Sequence, residues 1–384
     1  MTRPLIKVLF VNPASACYGS ERSMLALLRA CEFNAEVVCP DGGALERELK
    51  KLNVMLHPLI FGKYSFRQNP FWQLSFFLSF RKILRRVRPE IVAINLDGNT
   101  SLVTLAAMCE MVPLLRFCRF EFQPPIRWLD RWSWLQAQAI ICPSESVARQ
   151  VREWLPNEFH QRVHCFYDSF SGYLATQEEV DDFRRELGLG NARLVGCVGR
   201  LHLGKRIEVA IEAFAQIHKN TANVYLLIIG DSDGSPAGKV YTQKLQQIAR
   251  KLGVSDSVIF VGFRQANSMP AAMAALDVCV LPSESESFGM VLMEAWAQGV
   301  PTIASDVAGC GEITRASGGG LLAAIGDVSA FTVHLRTLLT NHEKSQVMGQ
   351  QGKEWVERTC DPAGYATRFA DVMDIVKTKE KSKK

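Results

Sequence analysis

The chain has 384 residues, of which 48% are hydrophobic and 22% are charged. This composition excludes a disordered chain, and the length exceeds what one hydrophobic core usually supports, so two domains are expected. The formal net charge of +5 is spread along the sequence, except for a basic run at 377–384, so it does not indicate a nucleic-acid-binding protein.

Short apolar runs that are typical of strands alternate with helical patterns along the whole chain. The first set predicts strands at 6–11, 36–39, 54–59, 91–96, 113–118, 139–143 and 162–167, and helices at 21–30, 71–87 and 101–111. The second set predicts strands at 193–198, 224–229, 258–263, 278–282 and 301–305, and helices at 205–219, 240–252, 268–275 and 288–298. Such alternation predicts parallel sheets that are covered by helices on both faces.

Two sets of this kind predict an α/β protein with two Rossmann-like, doubly wound parallel-sheet domains. The expected N-terminal domain is 1–175 and the expected C-terminal domain is 190–362, with a short charged helix in the polar boundary 176–191. A last helix within 363–384 is expected to pack back on the N-terminal domain and to end in the basic tail. Ligands of open parallel sheets bind outside the carboxyl ends of the strands, so the active site is expected in a cleft between two facing domains.

The 11 cysteines are scattered, without C-x-x-C pairs, and several lie inside the apolar runs. This usage is typical of a reducing compartment and does not indicate a zinc or disulfide framework. The start of the chain leads directly into a short strand, and no window reaches the roughly 20 apolar residues of a membrane-spanning helix. These features predict a cytoplasmic protein.

The segment from Glu286 to Glu294 carries the most specific chemistry in the sequence. It follows the expected strand 278–282 and opens a helix near Gly289. Free N–H groups at a helix N-terminus bind anions, and a glycine lets the backbone approach a phosphate closely. The two carboxylates can accept hydrogen bonds from sugar hydroxyls, although a surface carboxylate and a helix-capping one on an ordinary αβ unit would give the same spacing.

The run from Ser285 to Ser305 resembles the signature of the retaining glycosyltransferase family four, whose members have the GT-B fold. Ser287 stands where that signature usually has glycine, and the segments 309–312 and 318–322 also fit the family. The resemblance implies transfer of a sugar from a nucleoside-diphosphate sugar, with retained anomeric configuration and without a bound metal or other cofactor.

The resemblance also implies roles for individual residues of this segment. Glu286 is expected to hold hydroxyls of the transferred sugar, and Glu294 is expected to hold the ribose. The donor phosphate is expected at the start of the helix, beside Ser287, Phe288, Gly289, Met290 and Val291.

A second pattern, Gly199-Arg-Leu-His-Leu-Gly-Lys205, follows the expected strand 193–198. A guanidinium and an ammonium at this spacing can both reach a diphosphate, although Arg200 and Lys205 could also be cations of a solvated loop. The segment resembles the same family's G-R-L-x-x-x-K element, in which the two cations neutralise the leaving nucleotide. The resemblance places Gly199 at the donor as well.

A third pattern lies in the first strand–helix loop, at 14–22. It resembles the family's G-G-x-E-R element, with Tyr18 in place of the first glycine, and it places Gly19 and Ser20 at the donor diphosphate. The acidic residue of this element, Glu21, also suits a helix N-terminus without any further function. Arg264, which follows the strand 258–263, is a candidate near the base of the donor.

The loop 94–100 departs from the family, because many members carry a histidine there and this chain has none. Asn95, Asp97 or Asn99 can take its place, since each can form a hydrogen bond with a hydroxyl. Arg119, after the next strand, is a candidate on the acceptor side. No general base is assigned from the sequence.

The helix at 71–87 combines an apolar face with basic side chains. Phe76, Phe80, Ile83 and Val87 recur at helical spacing and are expected to face the core. A second stripe contains Arg81, Arg85 and Arg88, so the helix either lies on an anionic membrane or is an ordinary helix with a solvated basic face. The aromatic segment 127–134 favours a lipid-linked or amphiphilic acceptor.

The sequence therefore predicts a metal-independent, retaining GT-B glycosyltransferase. The expected partners are a nucleotide-sugar donor and a glycan or lipid-linked acceptor of polysaccharide, lipopolysaccharide or other glycoconjugate biosynthesis. The alternatives are a nucleotide-sugar epimerase or phosphorylase relative of the same fold, a non-catalytic nucleotide-sugar-binding protein, and a two-carboxylate glycosidase. Asp231 and Asp233 have the spacing of a metal-binding D-x-D motif, which is a further alternative. The same residues also suit an ordinary Gly/Asp/Ser turn without a metal.

Overall fold

The structure is a computed structural model that describes residues 5–30, 33–62, 69–124, 127–170, 172–232 and 234–381. Asp233 and the end of the basic tail, 382–384, lie outside the described residues. The chain divides into two compact units, of which one comprises Met1–Ser169 and Asp361–Lys384 and the other comprises Phe170–Cys360.

The N-terminal unit contains a seven-stranded parallel sheet with the order β3-β2-β1-β4-β5-β6-β7. Its strands are β1 (Lys7–Val11), β2 (Asn34–Cys39), β3 (Met55–Pro58), β4 (Ile91–Ile94), β5 (Leu114–Phe117), β6 (Ala139–Cys142) and β7 (Val163–Cys165). The helices that follow these strands are α1 (Gly19–Ala30), α2 (Ala44–Lys51), α3 (Pro70–Val87), α4 (Thr100–Cys109), α5 (Trp128–Leu135) and α6 (Glu145–Trp154). All seven strands were expected from the apolar runs, but the helices α2, α5 and α6 were not.

The C-terminal unit contains a six-stranded parallel sheet with the order β10-β9-β8-β11-β12-β13. Its strands are β8 (Arg193–Val198), β9 (Val224–Ile229), β10 (Val258–Gly262), β11 (Val278–Leu281), β12 (Thr302–Ser305) and β13 (Gly320–Ala323). Its helices are α7 (Gln177–Glu186), α8 (Ile207–His218), α9 (Pro236–Lys251), α10 (Met269–Ala274), α11 (Met290–Ala297), α12 (Ala308–Ser317), α13 (Val328–Thr340) and α14 (His342–Thr359).

A final helix, α15 (Pro362–Lys381), belongs to the N-terminal unit and packs against α1. Its Phe369 is fully buried, and the ring lies 6.1 Å from the ring of Phe10 on β1 and 5.8 Å from that of Phe117 on β5. The end of the chain thus completes one face of the core under the N-terminal sheet.

Local backbone chemistry sets the helix boundaries and corrects two predicted ones. The boundary helix α7 begins with a capping box between Thr176 and Glu179, which satisfies two backbone N–H groups at its start. The helix predicted at 205–219 starts only at Ile207, because Arg206 has a left-handed backbone (φ 48°) that separates α8 from a short 3₁₀ turn, Leu203–Lys205. The helix predicted at 288–298 starts at Met290, because Gly289 has φ 99°.

Both sheets contain a point where the strand order reverses. In the N-terminal sheet, β1 pairs with both β2 and β4, and in the C-terminal sheet, β8 pairs with both β9 and β11. The loops at the carboxyl ends of such strand pairs diverge and leave room for a ligand. Within the described residues, no helix is long and apolar enough to cross a membrane.

Candidate functional site

In the C-terminal unit, the loops that follow β8 and β11 lie side by side. Cys197 on β8 is the register partner of Val280 on β11, so the two strands end at the same edge of the sheet. The backbone N–H of Glu284 donates to the carbonyl oxygen of Gly204 at 3.0 Å and joins the two loops. The predicted donor residues of both loops are therefore neighbours in space.

A salt bridge between Lys205 and Glu286 connects the two sequence patterns directly. Lys205 Nζ donates to Oε1 of Glu286, and the buried hydroxyl of Ser283 donates to the same oxygen at 2.9 Å. Both side chains of the pair are partly exposed, at 27% for Lys205 and 16% for Glu286. A ligand can consequently reach an ammonium and an oriented carboxylate at one place.

The start of α11 is shaped by two glycines. Gly289 adopts a left-handed backbone, and a Cβ there would lie 2.7 Å from Sγ of Cys310. Gly309 on α12 donates its N–H to the carbonyl oxygen of Glu286 at 3.1 Å, and a Cβ on it would lie 2.1 Å from the carbonyl oxygen of Ser287. This close packing fixes the turn that leads into α11, and backbone N–H groups at the start of a helix can bind an anion.

Cys310 lies directly under this turn and is almost completely buried. Burial raises the pKa of its thiol well above the ordinary value, and the negative charge of Glu286 raises it further. The thiol therefore stays protonated and packs against the turn as a small apolar side chain.

The remaining donor-side candidates lie in different environments. Gly199 directly follows β8 and donates its N–H to the carbonyl oxygen of Ile229 at 2.9 Å, and Arg200 next to it is exposed. Glu294 lies on α11 and is 5% exposed, so only a small part of it can contact a ligand. Ser287 and Met290 are half-buried, while Phe288 packs into the interior.

Arg264, which follows β10, forms a bidentate salt bridge with Glu186 at the end of α7. Its Nη1 and Nη2 atoms donate to the two carboxylate oxygens at 2.9 and 2.6 Å, and its guanidinium lies over the ring of Phe183. These hydrogen bonds lower the pKa of Glu186. A role of Arg264 near the base of the donor stays a prediction.

Asp231 of the possible D-x-D motif follows β9 and is exposed. Its carboxylate accepts a hydrogen bond of 2.6 Å from the backbone N–H of Ser232, which is the bonding of a tight polar turn. The second aspartate, Asp233, lies outside the described residues.

In the N-terminal unit, the β1–α1 loop places Gly19 and Ser20 at the first turn of α1. The following residue, Glu21, is 1% exposed, and its Oε2 accepts hydrogen bonds from the N–H of Tyr18 and the hydroxyl of Ser20, both at 3.0 Å. The carboxylate lies inside the loop, so the loop backbone, and not this side chain, faces outward.

The four candidates for the acceptor side differ in exposure, and one of them, Asn99, is half-buried. Asn95 is fully buried and Arg119 is 8% exposed, and Arg119 Nε donates to Oδ1 of Asn95 at 3.0 Å. Asp97 has a side chain that is 44% exposed, and it is held by Arg116, a buried arginine of β5. Of the four, Asp97 is the most exposed and therefore the side chain that an acceptor can reach most directly.

Arg116 shows how that carboxylate is oriented. Its guanidinium lies 4.1 Å from the ring centroid of Trp134, donates to Ser133 Oγ at 3.1 Å and donates to Oδ1 of Asp97. Packing therefore fixes the cation, and the cation fixes Asp97. Sequence reasoning missed Arg116 because it lies inside an apolar strand.

The outer surface of α3 has an apolar half and a basic half. Phe76, Phe80, Ile83 and Val87 face the core, as expected. The exposed stripe consists of Phe71, Leu74 and Leu78, with exposures of 80%, 55% and 52%, followed by Lys82 and Arg85.

Salt bridges partly neutralise the basic half of α3. Arg81 and Arg85 both bind Glu110, at 2.6 and 3.0 Å, and the hydrogen bond from Arg85 is the main cause that lowers the pKa of Glu110. Two of the basic side chains predicted to face a membrane are thus engaged within the protein.

Two family models match the chain. One described as glycosyl transferases group 1 matches residues 179–355, and one described as glycosyltransferase family 4 matches residues 19–168. Together they span most of both units, and the chain belongs to the group 1 glycosyltransferases of family four.

Individual relatives agree with this assignment. The chain is 28% identical over 235 residues, 61% of its own length, to N-acetyl-alpha-D-glucosaminyl L-malate synthase of Bacillus anthracis, of which it covers 58%. It is 30% identical over 200 residues to the GDP-mannose-dependent alpha-(1-6)-phosphatidylinositol monomannoside mannosyltransferase of Mycolicibacterium smegmatis, with 50% of each chain covered. The match thus spans about half the length of these curated relatives.

A solved structure matches nearly the whole chain. HepE from Anabaena, in complex with UDP and glucose, has a TM-score of 0.85 at 20% identity, with 96% of this chain and 99% of HepE covered. The fold predicted from the sequence, two Rossmann-like parallel-sheet domains of the GT-B class, is confirmed.

Proposed function

We propose that this protein is a glycosyltransferase that takes a sugar from a nucleoside-diphosphate sugar. The observation that carries the proposal is the Lys205–Glu286 salt bridge beside the N-terminus of α11, with Arg200 in the same loop as Lys205. Such a donor has two phosphates and several sugar hydroxyls. Cations and backbone N–H groups can bind the phosphates, and a carboxylate can accept hydrogen bonds from the hydroxyls. The family assignment and the UDP complex of HepE support this proposal.

The proposed reaction breaks the bond between the anomeric carbon and the diphosphate and forms a bond from that carbon to an acceptor hydroxyl oxygen, whose proton is released together with the nucleoside diphosphate. Negative charge develops on the leaving phosphate, and Lys205, Arg200 and the N–H groups at the start of α11 stabilise it. These groups supply the charge that a metal ion supplies in other enzymes, so transfer proceeds without a metal. Glu286 holds the sugar hydroxyls, and the anomeric configuration is retained, as the family signature implies.

We assign the acceptor side to the N-terminal unit, with Asp97 as the residue that contacts an acceptor hydroxyl. Its pairing with the buried Arg116 gives it a fixed direction, while its exposed surface leaves it accessible. Asn95 and Arg119, which are buried, act through other residues. The acceptor is a glycan or a lipid-linked saccharide in polysaccharide, lipopolysaccharide or other glycoconjugate biosynthesis.

We further propose that the exposed stripe of α3 contacts the cytoplasmic face of an anionic membrane. Phe71, Leu74 and Leu78 would enter the acyl boundary, while Lys82 lies on the same side of the helix and suits a phosphate headgroup. This surface would bring a lipid-linked acceptor to the enzyme.

One experiment tests the central proposal. Thermal unfolding is measured with UDP, GDP, ADP and their common sugars, and selective stabilisation by one nucleotide identifies the donor class. The selected nucleotide sugar is then incubated with and without candidate acceptors and with EDTA. Release of nucleoside diphosphate that depends on the acceptor and persists in EDTA supports transfer, whereas conversion of the sugar without an acceptor indicates an epimerase. Binding without turnover indicates a non-catalytic protein.

A further inference from the structure

A chain of buried hydrogen bonds crosses the carboxyl edge of the N-terminal sheet. It runs from Arg119 through Asn95 and Asn12 to Glu21, and each side chain donates to the next one. The distances are 3.0 Å from Arg119 Nε to Asn95 Oδ1, 2.8 Å from Asn95 Nδ2 to Asn12 Oδ1, and 3.4 Å from Asn12 Nδ2 to Glu21 Oε1. Asn12 and Asn95 are fully buried.

One end of this chain holds the β1–α1 loop. Glu21 accepts from the backbone N–H of Tyr18 and from the hydroxyl of Ser20 through Oε2, while Asn12 occupies its other oxygen. Asn12 also donates to the carbonyl oxygen of Ala14 at 2.8 Å. The backbone from 14 to 20 is therefore tied to two buried side chains at several points.

The other end is anchored in the core. Arg119 Nη1 donates to Asp168 Oδ1 at 2.7 Å and to Ser23 Oγ at 2.8 Å, and Ser23 in turn donates to the same aspartate oxygen at 2.6 Å. The guanidinium also lies 4.3 Å from the ring centroid of Phe117. These contacts fix Arg119 to β5, to α1 and to the segment after β7.

The direction of the hydrogen bonds explains how a carboxylate can be buried at Glu21. A buried charge is costly unless polar groups compensate for it, and its described hydrogen bonds all come from neutral donors. Because both amides point their N–H groups toward Glu21 and their oxygens toward Arg119, their dipoles are aligned between a cation and an anion. Aligned hydrogen bonds polarise and strengthen one another in a low-dielectric interior.

We infer that Asn12, Asn95 and Arg119 are positioning residues for donor binding. Through Glu21 they hold the segment Tyr18–Ser20 in the conformation that presents its backbone to the donor diphosphate. This inference rests on the proposed function and on the family resemblance, which places Gly19 and Ser20 at the donor diphosphate. It also gives Asn95 and Arg119 a task other than direct contact with an acceptor.

The test replaces Asn95 by aspartate, which is nearly isosteric. Asn95→Asp still offers an acceptor to Arg119 but can no longer donate to Asn12 or, at 3.5 Å, to the carbonyl oxygen of Ser20, so the hydrogen bonds from position 95 toward the loop are lost. Backbone hydrogen exchange of the segment 14–22 is measured first, because it needs no activity. We expect faster exchange around Tyr18, together with a donor KM that rises about tenfold while kcat changes little. Asn95→Ala is the second variant and should act in the same direction.

Ser144→Ala is the matched control. Ser144 is buried in the same unit and accepts a hydrogen bond from the N–H of Val147 at the start of α6. Its loss should lower the melting temperature and leave both the exchange of 14–22 and the donor KM unchanged. If Ser144→Ala changed the exchange of 14–22 and the donor KM as much as the Asn95 variants do, the effects of those variants would reflect a general loss of stability, and the inference would be overturned.

Three outcomes separate the inference from the proposed function. Unchanged exchange of 14–22 in both Asn95 variants refutes the coupling. Faster exchange with an unchanged donor KM also refutes the inference, because the loop then moves without any effect on the donor. Failure of the wild-type protein to bind any nucleotide sugar refutes the proposed function, and the exchange measurement still decides whether the loop is coupled to Asn95.

Discussion

Lys205 donates to Oε1 of Glu286 and leaves Oε2 of that carboxylate outside both the salt bridge and the hydrogen bond from Ser283. One oxygen thus has a structural task, and the other can accept a hydroxyl of a bound sugar. The ammonium, in turn, is shared between this carboxylate and any diphosphate that arrives. Donor binding and donor chemistry should therefore respond differently to a change at position 286.

We expect Glu286→Gln to lower turnover by roughly 100-fold, which is the usual size of the loss of one aligned polar contact in a transition state. The dissociation constant of the nucleoside diphosphate should stay the same or decrease, because Lys205 loses a competing anion. Steady-state kinetics and calorimetry measure the two quantities. Glu284→Gln is the matched control, since Glu284 is an exposed carboxylate in the same loop. Unchanged turnover with a verified donor would exclude Glu286 from the reaction.

Removal of either cation should weaken binding of the nucleoside diphosphate product. Arg200→Ala and Lys205→Ala should each cost about 1.5 kcal/mol, or about tenfold in the dissociation constant, which is typical for one hydrogen bond to a charged group. Calorimetry with the nucleotide chosen in the thermal-shift screen measures this. Lys251→Ala, on the exposed end of α9, should have no effect. If all three variants bound the nucleoside diphosphate with the same affinity, Arg200 and Lys205 would not belong to the donor site.

Gly289 should not tolerate a side chain. Gly289→Ala adds a Cβ at 2.7 Å from Cys310 Sγ and forces an alanine to a φ of 99°, so we expect a loss of about 1–3 kcal/mol in the free energy of unfolding. The double variant with Cys310→Ala should recover only the steric part of this loss. Denaturant unfolding of the four proteins measures the coupling. Additive effects of the two substitutions would show that the thiol does not limit the space at Gly289.

Asp97→Asn should act on the acceptor and leave the donor unaffected. The amide keeps the size of the side chain but loses the charge that Arg116 orients, so the acceptor KM should rise and the dissociation constant of the nucleoside diphosphate should not change. Initial rates at varied acceptor concentration measure this difference. If only the dissociation constant of the nucleoside diphosphate rose, Asp97 would belong to the donor site, and its assignment to the acceptor would be wrong.

The apolar stripe of α3 can be tested without knowledge of the substrate. Leu74→Glu combined with Leu78→Glu should abolish flotation with vesicles that contain anionic phosphatidylglycerol, while the protein remains folded, because both side chains are about half exposed. The control carries Val333→Glu and Val347→Glu, which replace two equally exposed residues of α13 and α14. Absence of flotation by the wild-type protein, or equal loss in the control, would exclude this surface.

The parallel sheets were predictable because periodicity is a local property of the sequence. The strands expected at 193–198 and 224–229 coincide with β8 and β9, since β-branched and apolar residues fill both runs. The strand–loop–helix element around Glu286 was found in the same way. The starts of α8 and α11 were placed too early because the left-handed backbones of Arg206 and Gly289 depend on the contacts of their loops.

The N-terminal side of the candidate site shows where sequence reasoning ends. Asn12, Asn95 and Asp97 all follow strands, and nothing in their spacing shows that the first two are buried and the third is exposed. Burial depends on which side chains meet across the sheet, such as Arg119 with Asn95. That information belongs to the tertiary structure.

The return of α15 to the N-terminal unit also affects how the protein can be made. A ribosome completes the continuous C-terminal unit before it releases Phe369, so the ring that contacts Phe10 and Phe117 arrives last. Domains usually fold in the order in which they are synthesised, but here the unit that begins first must wait for the final helix. Until α15 emerges, the apolar side chains that it covers lack this partner, and a nascent chain that stops before Pro362 would lack it permanently.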